Sequence, residues 1–284
     1  MAEPAALSTV TVGNAGITYL PDGYGRYDPV PMFPASTAAG WQLHHDWLDA
    51  DGRLPLSFGA LLVRTSDQRI LVDAGYGEKT VEVPGVATRV GGRLLHSLGT
   101  VGLKPSDIDM VIYTHLHHDH VGWTSQLAGD GRSLTFANAR HLVRRPEWDY
   151  WRGTDNIPGP SLADVQQPLE GRIDFVEDGE AIAPGLSLIA TPGHTPGHAS
   201  VIVSSGAERA IILGDVVHCP VQLEEADWAC LADVDPELGR RTRERLWQEL
   251  ADPSTVTAGG HFADFTFGRV MRAEGKLIWQ GLRP

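Results

Sequence analysis

Six consecutive residues near the middle of this chain are dense in side chains that bind metal ions. They read His115-Leu116-His117-His118-Asp119-His120 and directly follow an apolar, strand-like stretch at residues 110–113. Neutral imidazole nitrogens and carboxylate oxygens are ligands that zinc and neighbouring transition metals accept. A polar surface loop is the other interpretation, but side chains this close would repel one another when protonated, with no gain in packing. The run therefore predicts a metal site, with His115 and His117 aimed at one ion and Asp119 and His120 at another.

Further candidate ligands follow three other apolar stretches. His194 lies in the turn T-P-G-H-T-P-G-H, Asp215 ends the run A-I-I-L-G-D, and His261 follows S-T-V-T-A-G-G. Proline and glycine fix the first of these turns, and the small residues before His261 allow a close backbone approach. The two oxygens of Asp215 suit a bridge between two cations. Each residue alone would be an ordinary loop or core residue, but their joint placement at strand ends predicts one shared site.

The order of these motifs resembles the metallo-β-lactamase superfamily of hydrolases. The matching patterns are H-x-H-x-D-H, T-P-G-H-T-P-G-H, G-D and G-H, and the similarity runs from about residue 58 to about residue 279. The resemblance implies two metal sites that share a bridging Asp215. The first would be formed by His115, His117 and His194, and the second by Asp119, His120 and His261.

The same resemblance assigns roles to neighbouring residues and to the cofactor. Asp73, in the pattern L-V-D-A-G, would orient one of the ligands. His118 occupies a position that varies in the family and His198 is the second histidine of its turn, so neither is expected to be a ligand. The implied cofactor is a pair of divalent metal ions, Zn²⁺ in the first place, with Mn²⁺, Fe²⁺ or Co²⁺ as alternatives.

Composition and charge favour a single compact enzyme. The chain has 284 residues, of which 42% are hydrophobic, and α/β folds of this length are often one domain. We expect one domain over residues 1–284, with residues 1–57 as an N-terminal extension that packs near the active-site mouth. The net charge of −13 would repel a phosphate backbone, so a nucleic-acid partner is not expected.

Other sequence features bear on the compartment and the partners. The chain contains no apolar run of the roughly 18 residues that a membrane span needs, and residues 1–30 lack the pattern of a secretory signal. Cys219 and Cys230 are too few for a disulfide framework and fit a reducing compartment. We therefore expect a cytoplasmic protein that acts on a small molecule without a membrane partner, and a homodimer stays open.

The order of elements predicts an α/β fold with two sheets. Expected strands and hairpins lie at residues 8–20, 58–73, 133–143, 173–176, 187–191, 199–204, 209–214 and 267–279, and expected helices at residues 92–101 and 236–250. Strand-rich halves with intervening helices suggest two sheets packed face to face with helices outside. The resemblance names this arrangement as the four-layer αββα sandwich.

A hydrolytic mechanism follows from such a pair of cations. Two adjacent divalent ions lower the pKa of a shared water to roughly 7, so a bridging hydroxide is available at neutral pH. Asp119 would orient this nucleophile or return its proton to the leaving group. The chain also lacks the G-x-S-x-G pattern of a serine hydrolase.

The substrate class is inferred from the patterns G-D-V-V at residues 214–217 and R-A-E-G-K at residues 272–276. They resemble the branch that contains methyl parathion hydrolase and the acyl-homoserine lactonases, which implies a lactone, a carboxyl ester or an organophosphate triester. Trp123 and Trp151 are expected to form apolar pocket walls. Trp148 and Tyr150 would lie either in a lid or in the core.

His218 marks a departure from the acyl-homoserine lactonases, which typically carry tyrosine three residues after the bridging aspartate. It would bind a substrate oxygen or act as an acid, although a lone histidine is more often structural. The alternatives are a glutathione-thioester hydrolase, an iron-dependent oxygenase and a non-catalytic binding protein. The first would need free basic residues, whereas Arg240, Arg241 and Arg243 are interpreted as a solvated helix face, and the complete ligand set argues against the other two.

Overall fold

The computed structural model describes residues 1–129, 131–273 and 276–283, and within these ranges the chain forms eighteen strands and six α-helices, besides short 3-10 and π-helical segments. The strands are β1 (Ser8–Val12), β2 (Ala15–Tyr27), β3 (Leu54–Arg64), β4 (Arg69–Val72), β5 (Thr80–Val83), β6 (Ala87–Val90), β7 (Met110–Ile112), β8 (Ser125–Ala128), β9 (Gly131–Leu134), β10 (Arg140–Arg144), β11 (Ile173–Val176), β12 (Ala181–Ala183), β13 (Leu186–Ala190), β14 (Ala199–Ser205), β15 (Glu208–Ile212), β16 (Thr255–Ala258), β17 (Phe267–Ala273) and β18 (Lys276–Gly281). The helices are α1 (Pro29–Met32), α2 (Ala38–Leu43), α3 (Leu94–Thr100), α4 (Arg145–Trp151), α5 (Gln167–Leu169) and α6 (Pro236–Leu250).

Most strands belong to two large sheets. The first sheet has the order β11-β10-β7-β4-β3-β2-β6-β5, and β1 pairs with β2 as its ninth strand. The second sheet runs from β12 to β18 in chain order, while β8 and β9 form a small hairpin. Neighbouring strands are parallel among β4, β7, β10 and β11 and between β15 and β16. These parallel pairs matter for the site, because parallel strands end at the same edge of a sheet.

The two sheets pack face to face around a shared apolar core. Side chains alternate between the two faces of a strand, so Ile70 and Val72 of β4 enter this core while Leu71 between them points outward. On β15, Ile212 faces the shared core and Ile211 faces outward. Helices α3 and α4 cover the outer face of the first sheet, and α6 covers that of the second. The structure confirms the four-layer sandwich.

Helix α6 has the bounds that the sequence predicts, Pro236–Leu250. The side chain of Asp235 accepts a hydrogen bond of 2.9 Å from the backbone N–H of Leu238 and caps the first turn. Pro236 suits the first helical position because its missing N–H would have no partner there. Leu246 and Leu250 pack against the second sheet.

Some local expectations are wrong. Residues 133–143 do not form one strand, because β9 ends at Leu134 and β10 begins at Arg140 in a different sheet. The hairpin of β5 and β6 was not expected, since Thr80, Glu82, Thr88 and Arg89 interrupt its apolar residues and leave no apolar run. The final hairpin is formed by β17 and β18, and residues 274 and 275 of the R-A-E-G-K pattern lie outside the described residues.

The first 57 residues divide into two parts. Strands β1 and β2 belong to the first sheet, and Ile17 and Tyr19 of β2 enter the shared core, so this part is not an added segment. The connection from β2 to β3 carries α1 and α2, and its Met32 and Trp41 pack in one cluster with Trp228. In the described ranges, none of the helices combines the length and the apolar character needed to cross a membrane.

Candidate metal centre

The candidate ligands meet because their strands end at neighbouring edges of the two sheets. Strands β4 and β7 are parallel, with Val72 beside Ile112, so the segments that begin at Asp73 and Tyr113 leave the first sheet together. Strands β15 and β16 are parallel in the second sheet, with Ile212 beside Ala258. The chain reaches Asp215 and His261 within three residues of these strand ends.

Asp73 anchors residues 115–120, the metal-binding loop, to the first sheet. It adopts the left-handed backbone conformation at φ 64°, which is uncommon outside glycine. Its carboxylate accepts a hydrogen bond of 2.8 Å from the Thr114 backbone N–H, and it lies 2.9 Å from Nδ1 of His120. The backbone N–H of Ala74 also donates to the His120 carbonyl at 2.7 Å. The loop is thus held at both ends by one turn.

Three histidines form the first candidate ligand group. Ligand atoms of His115, His117 and His194 all lie within 4.8 Å of one another, and the three side chains are buried. Nδ1 of His117 is 2.8 Å from Nε2 of His194. Nε2 atoms of His115 and His117 are buried without a hydrogen-bond partner.

Asp119, His120 and His261 form the second group. Nε2 of His120 and Nε2 of His261 are 3.2 Å apart, and Oδ2 of Asp119 is 3.7 Å from the latter. The Asp215 carboxylate lies between the groups, because its Oδ1 is 3.1 Å from Nε2 of His120 and its Oδ2 is 3.4 Å from Nε2 of His194.

The donor chemistry of these two groups fits a pair of divalent metal ions. Buried imidazole nitrogens with no partner, and nitrogen pairs as close as 2.8–3.2 Å, are costly unless a cation accepts their lone pairs. Nitrogen and carboxylate oxygen donors are those of zinc and related ions. The bridging position of Asp215 between the groups matches a dinuclear arrangement.

Three of the ligand rings are each oriented by a partner on Nδ1. Nδ1 of His120 contacts Asp73, Nδ1 of His261 lies 2.7 Å from the Ser57 carbonyl, and Nδ1 of His194 lies 2.8 Å from Oδ1 of Asp233. A carbonyl or carboxylate only accepts, so these Nδ1 atoms carry the proton and leave Nε2 as the free donor of a lone pair.

Asp233 was not found from the sequence, and its partner Arg243 corrects an expectation. The Arg243 side chain is 1% exposed, and its Nη1 lies 3.7 Å from Oδ2 of Asp233, whose side chain is fully buried. Burial raises the pKa of Asp233, but the hydrogen bond from His194 and the nearby charge of Arg243 outweigh it and lower the pKa below its ordinary value. Arg243 is therefore not on a solvated face, and its spacing of three and seven residues from Leu246 and Leu250 is the signal for this.

The two neighbouring arginines of α6 are occupied on the helix surface. Arg240 pairs with Glu244 and Arg241 with Glu237, each at 2.6 Å. Because Arg243 is buried against Asp233, it is not available to bind the carboxylates of glutathione.

Glu147, at the start of α4, is a second buried carboxylate that the sequence did not reveal. Its Oε1 accepts from the Leu116 backbone N–H and from the Trp151 indole, both at 2.9 Å. Its Oε2 accepts from the Thr195 hydroxyl at 2.6 Å and from the Gly197 N–H at 3.1 Å. Burial raises its pKa. One carboxylate thus ties the loop of His115 and His117 to the turn of His194.

His198 is fully engaged by the protein. Its Nε2 accepts a hydrogen bond of 2.8 Å from the Asp215 backbone N–H, so the proton sits on Nδ1, 3.1 Å from the Thr191 carbonyl. Burial lowers the pKa of His198 to about 3, which keeps the ring neutral. Gly214 permits this contact, because it adopts φ 59° and a Cβ there would lie 2.6 Å from Nε2 of His198. The ring therefore positions Asp215.

His118 is held by hydrogen-bond partners outside the two ligand groups. Its Nε2 lies 2.7 Å from Nη1 of Arg89 and its Nδ1 lies 3.1 Å from the Pro158 carbonyl. Neither His118 nor His198 belongs to a group of described residues that could hold a metal ion.

The ligand histidines differ in how readily they are protonated. Burial, reinforced by neighbouring histidines, lowers the pKa of His115 and of His117 well below the ordinary value. Burial also opposes the charged form of His120, but the carboxylates of Asp215 and Asp73 outweigh it and raise the pKa well above the ordinary value. The pKa of His261 is raised for the same reason, with Asp215 as the main opposing charge to burial.

A cavity of about 370 Å³ opens onto the candidate ligands. His218 lines it, with Nε2 3.2 Å from Oδ2 of Asp215 and Nδ1 buried without a hydrogen-bond partner. The remaining walls come mainly from β5, β6 and the segments around residues 27–32, 157–158 and 230–232. Part of residues 1–57 therefore borders this cavity.

The two tryptophans expected in the pocket wall are not among the residues that line this cavity. Trp123 packs in the outer core of the first sheet, and its indole N–H donates to Asp22 at 2.9 Å. Trp151 lies in the same core with its ring edge-on to His117, at a centroid distance of 5.5 Å. Trp148 is a core residue of α4 as well, whereas Tyr150 on the same helix is 43% exposed.

Comparison with known proteins bears on this centre. The family described as Metallo-beta-lactamase superfamily matches residues 60–261. The N-acyl homoserine lactonase AiiA of Bacillus thuringiensis subsp. kurstaki is 27% identical over 223 residues, covering 73% of this chain and 82% of that protein. The solved structure of AidC, a dizinc quorum-quenching lactonase, has a TM-score of 0.86 and 22% identity over 99% of both chains. AbOPH, a hydrolase in the beta lactamase superfamily, has a TM-score of 0.81 and 26% identity, also over 99% of both chains.

Proposed function

Because the chain belongs to the metallo-beta-lactamase superfamily and is a metal-dependent hydrolase, we propose that it opens a lactone ring with an apolar acyl substituent, using a pair of zinc ions. The observation that carries this proposal is the cavity, in which one wall carries five of the seven candidate ligands, His117, Asp119, His194, Asp215 and His261, and the others are largely apolar. The similarity to a curated N-acyl homoserine lactonase supports the same substrate class.

The apolar walls suit an acyl chain. Side chains that line the cavity opposite the ligands are Met32, Leu56, Val83, Val86, Ala87, Ile157 and Leu231. Of these, Ile157 and Leu231 are large apolar residues that stay 74% and 59% exposed, as expected at the rim of a site that an apolar ligand covers. The volume of about 370 Å³ lies within the range of roughly 300–1,000 Å³ that is usual for small-molecule sites.

The candidate ligands would hold two ions at the base of this cavity. His115, His117 and His194 would bind one ion and Asp119, His120 and His261 the other, with Asp215 between them. Two such ions, when bound, lower the pKa of a shared water to roughly 7 and polarise the carbonyl of the substrate. Zinc is the first choice because imidazole and carboxylate donors in a buried site suit it.

Asp119 would handle the proton of the attacking water. Burial raises the pKa of its carboxyl, but the charges of His120 and His261 outweigh it and lower the pKa, so the group is ionised at neutral pH. An ionised carboxylate in the cavity accepts a hydrogen bond from water and can pass the proton to the leaving alkoxide of the ring.

His218 would stabilise the oxygen of the substrate. A buried Nδ1 without a partner favours the tautomer that carries its proton on Nε2, which faces Asp215 and the cavity. This N–H can donate to the carbonyl oxygen, where the negative charge develops. It occupies the place that tyrosine would take in an acyl-homoserine lactonase.

The test is a panel of kcat/KM values for the zinc-loaded protein. It includes N-decanoyl homoserine lactone, γ-dodecalactone, phenyl acetate, methyl paraoxon and lactoyl-glutathione, with His117→Ala as the inactive control. We expect the two lactones to be the best substrates. A tenfold preference for the aryl ester, the triester or the thioester, which equals about 1.4 kcal/mol in the transition state, would contradict lactone hydrolysis.

A further inference from the structure

We propose that Arg89 forms a polar subsite that binds the carbonyl oxygen of an N-acyl group on the substrate, beside the metal centre. The proposal rests on the proposed lactone hydrolysis and names the feature that would select one lactone class over another. It concerns a residue that lies outside the ligand set and outside the motifs of the sequence.

Arg89 enters the cavity from a hairpin whose other cavity-lining side chains, Val83, Val86 and Ala87, are apolar. It lies on β6, two residues from Ala87, so the two side chains share one face of the strand and both line the cavity. Val83 and Val86 of the same hairpin also line it. Strand β6 pairs with the end of β2, where Gly25 is opposite Arg89 and Tyr27 is opposite Ala87. The guanidinium is thus a single cationic group within an apolar wall.

The metal-binding loop fixes the position of this guanidinium. The Pro158 carbonyl can only accept, so Nδ1 of His118 carries the proton and Nε2 accepts the hydrogen bond of 2.7 Å from Nη1 of Arg89. The His118 backbone N–H also donates to Pro158, at 2.9 Å. Arg89, His118 and the candidate ligand Asp119 all line the cavity, so the held guanidinium shares it with the candidate ligands.

Most hydrogen-bonding capacity of Arg89 is unused. A guanidinium has five N–H donors, and the hydrogen bond to His118 is its one recorded bond among the described residues. Its Nε is buried without a partner. Within the described part of the chain, no carboxylate lies within 4.0 Å of it as a counter-ion. A cationic donor held in an apolar wall without a counter-charge is suited to a ligand that brings an acceptor.

The position of Arg89 indicates which acceptor this is. The lactone carbonyl would lie at the ligands, and the acyl tail would lie along Val83, Val86 and Leu231. An acceptor at Arg89 therefore belongs between the ring and the tail, which is where an N-acyl lactone carries its amide carbonyl. A simple alkyl lactone of similar length has no acceptor there.

The experiment compares these two lactones in wild-type protein and in Arg89→Met, which keeps the length of the side chain and removes its donors. A hydrogen bond from a charged group predicts a loss of about ten- to hundredfold in kcat/KM for N-decanoyl homoserine lactone. The kcat/KM for γ-dodecalactone should change by less than about twofold. Arg69→Met is the matched control, since Arg69 is half exposed on β4 and pairs with Asp109. Zinc content and melting temperature verify that both variants fold.

A binding measurement separates this subsite from the proposed function. The dissociation constants of N-decanoyl homoserine, the ring-opened amide, and of decanoate are measured by calorimetry on wild-type protein and Arg89→Met. Weaker binding of the amide alone supports the subsite even if wild-type protein hydrolyses neither lactone, an outcome that would refute only the proposed function. The role of Arg89 would be overturned if Arg89→Met weakened binding of the amide and of decanoate equally, or lowered kcat/KM equally for both lactones. It would also be overturned if the substitution changed neither quantity.

Discussion

Replacing Asp233 by Asn should weaken both the fold and zinc binding, for two separable reasons. Oδ1 of Asp233 lies 2.8 Å from Nδ1 of the candidate ligand His194, and Oδ2 lies 3.7 Å from the buried guanidinium of Arg243. The substitution keeps the shape of the side chain but removes its charge. The first contact concerns the metal and the second concerns the fold.

The two magnitudes follow from these contacts. Loss of a carboxylate behind a metal-binding histidine typically costs about 10- to 100-fold in metal affinity or activity. Removal of one partner of a buried ion pair costs about 3–5 kcal/mol, because Arg243 at 1% exposure keeps an uncompensated charge. Asp233→Asn should therefore show both losses.

A second substitution separates them. In Asp233→Asn with Arg243→Met the buried charge is gone, so the free energy of unfolding should recover by more than half of its loss. The zinc affinity should stay low, since Nδ1 of His194 still faces a neutral amide.

The assays are urea unfolding at a fixed excess of zinc and zinc competition against a chromophoric chelator. An unchanged zinc affinity in Asp233→Asn would refute the role given to the carboxylate behind His194. A double variant that is no more stable than Asp233→Asn would show that the buried charge of Arg243 is not the cause of the instability.

Three further predictions concern pH, loop positioning and the substrate tail. The pKa values of His120 and His261 are raised, so protons must leave these rings when an ion binds, and affinity for the second ion should fall by about tenfold per pH unit for each proton displaced as pH decreases below those values. The site of His117, whose pKa is lowered, should keep its ion. Zinc stoichiometry at pH 5.5 and pH 8 checks this prediction, and equal loss of zinc from both sites would contradict it. Glu147→Gln should lower the free energy of unfolding by about 2–4 kcal/mol, because its amide cannot accept from all four donors that surround the carboxylate. Urea unfolding checks this prediction. A change within about 0.5 kcal/mol, the usual range for a surface site, would show that Glu147 does not hold the loop of His117 to the turn of His194. Each methylene added to the acyl chain of the substrate should raise kcat/KM by up to about fourfold, and this gain should be smaller in Leu231→Ser than in the wild-type protein. An equal gain per methylene in the two proteins would exclude Leu231 from the site of the acyl tail.

The sequence by itself determined the fold class and the candidate ligand set. Both depend on local patterns: apolar runs that form buried strands, and histidine or aspartate placed immediately after them. The parallel pairing of β4 with β7 and of β15 with β16, which the structure shows, then brings such residues to one edge, so ligands far apart in the chain meet. The bounds of α6 were predictable for the same local reason, from Asp235 and Pro236 at its start.

Only the tertiary structure decided which polar and aromatic groups support the site and which face the cavity. Asp233 and Glu147 lie in no metal-binding pattern, and their partners are 39 and up to 50 residues away in the chain. The indole of Trp123, which was expected in the pocket wall, is packed in the outer core, and the guanidinium of Arg89, which no sequence pattern singled out, lines the cavity. The physical reason is that a local sequence fixes how a segment folds, whereas burial of a side chain and its hydrogen-bond partners depend on which distant segment packs against it.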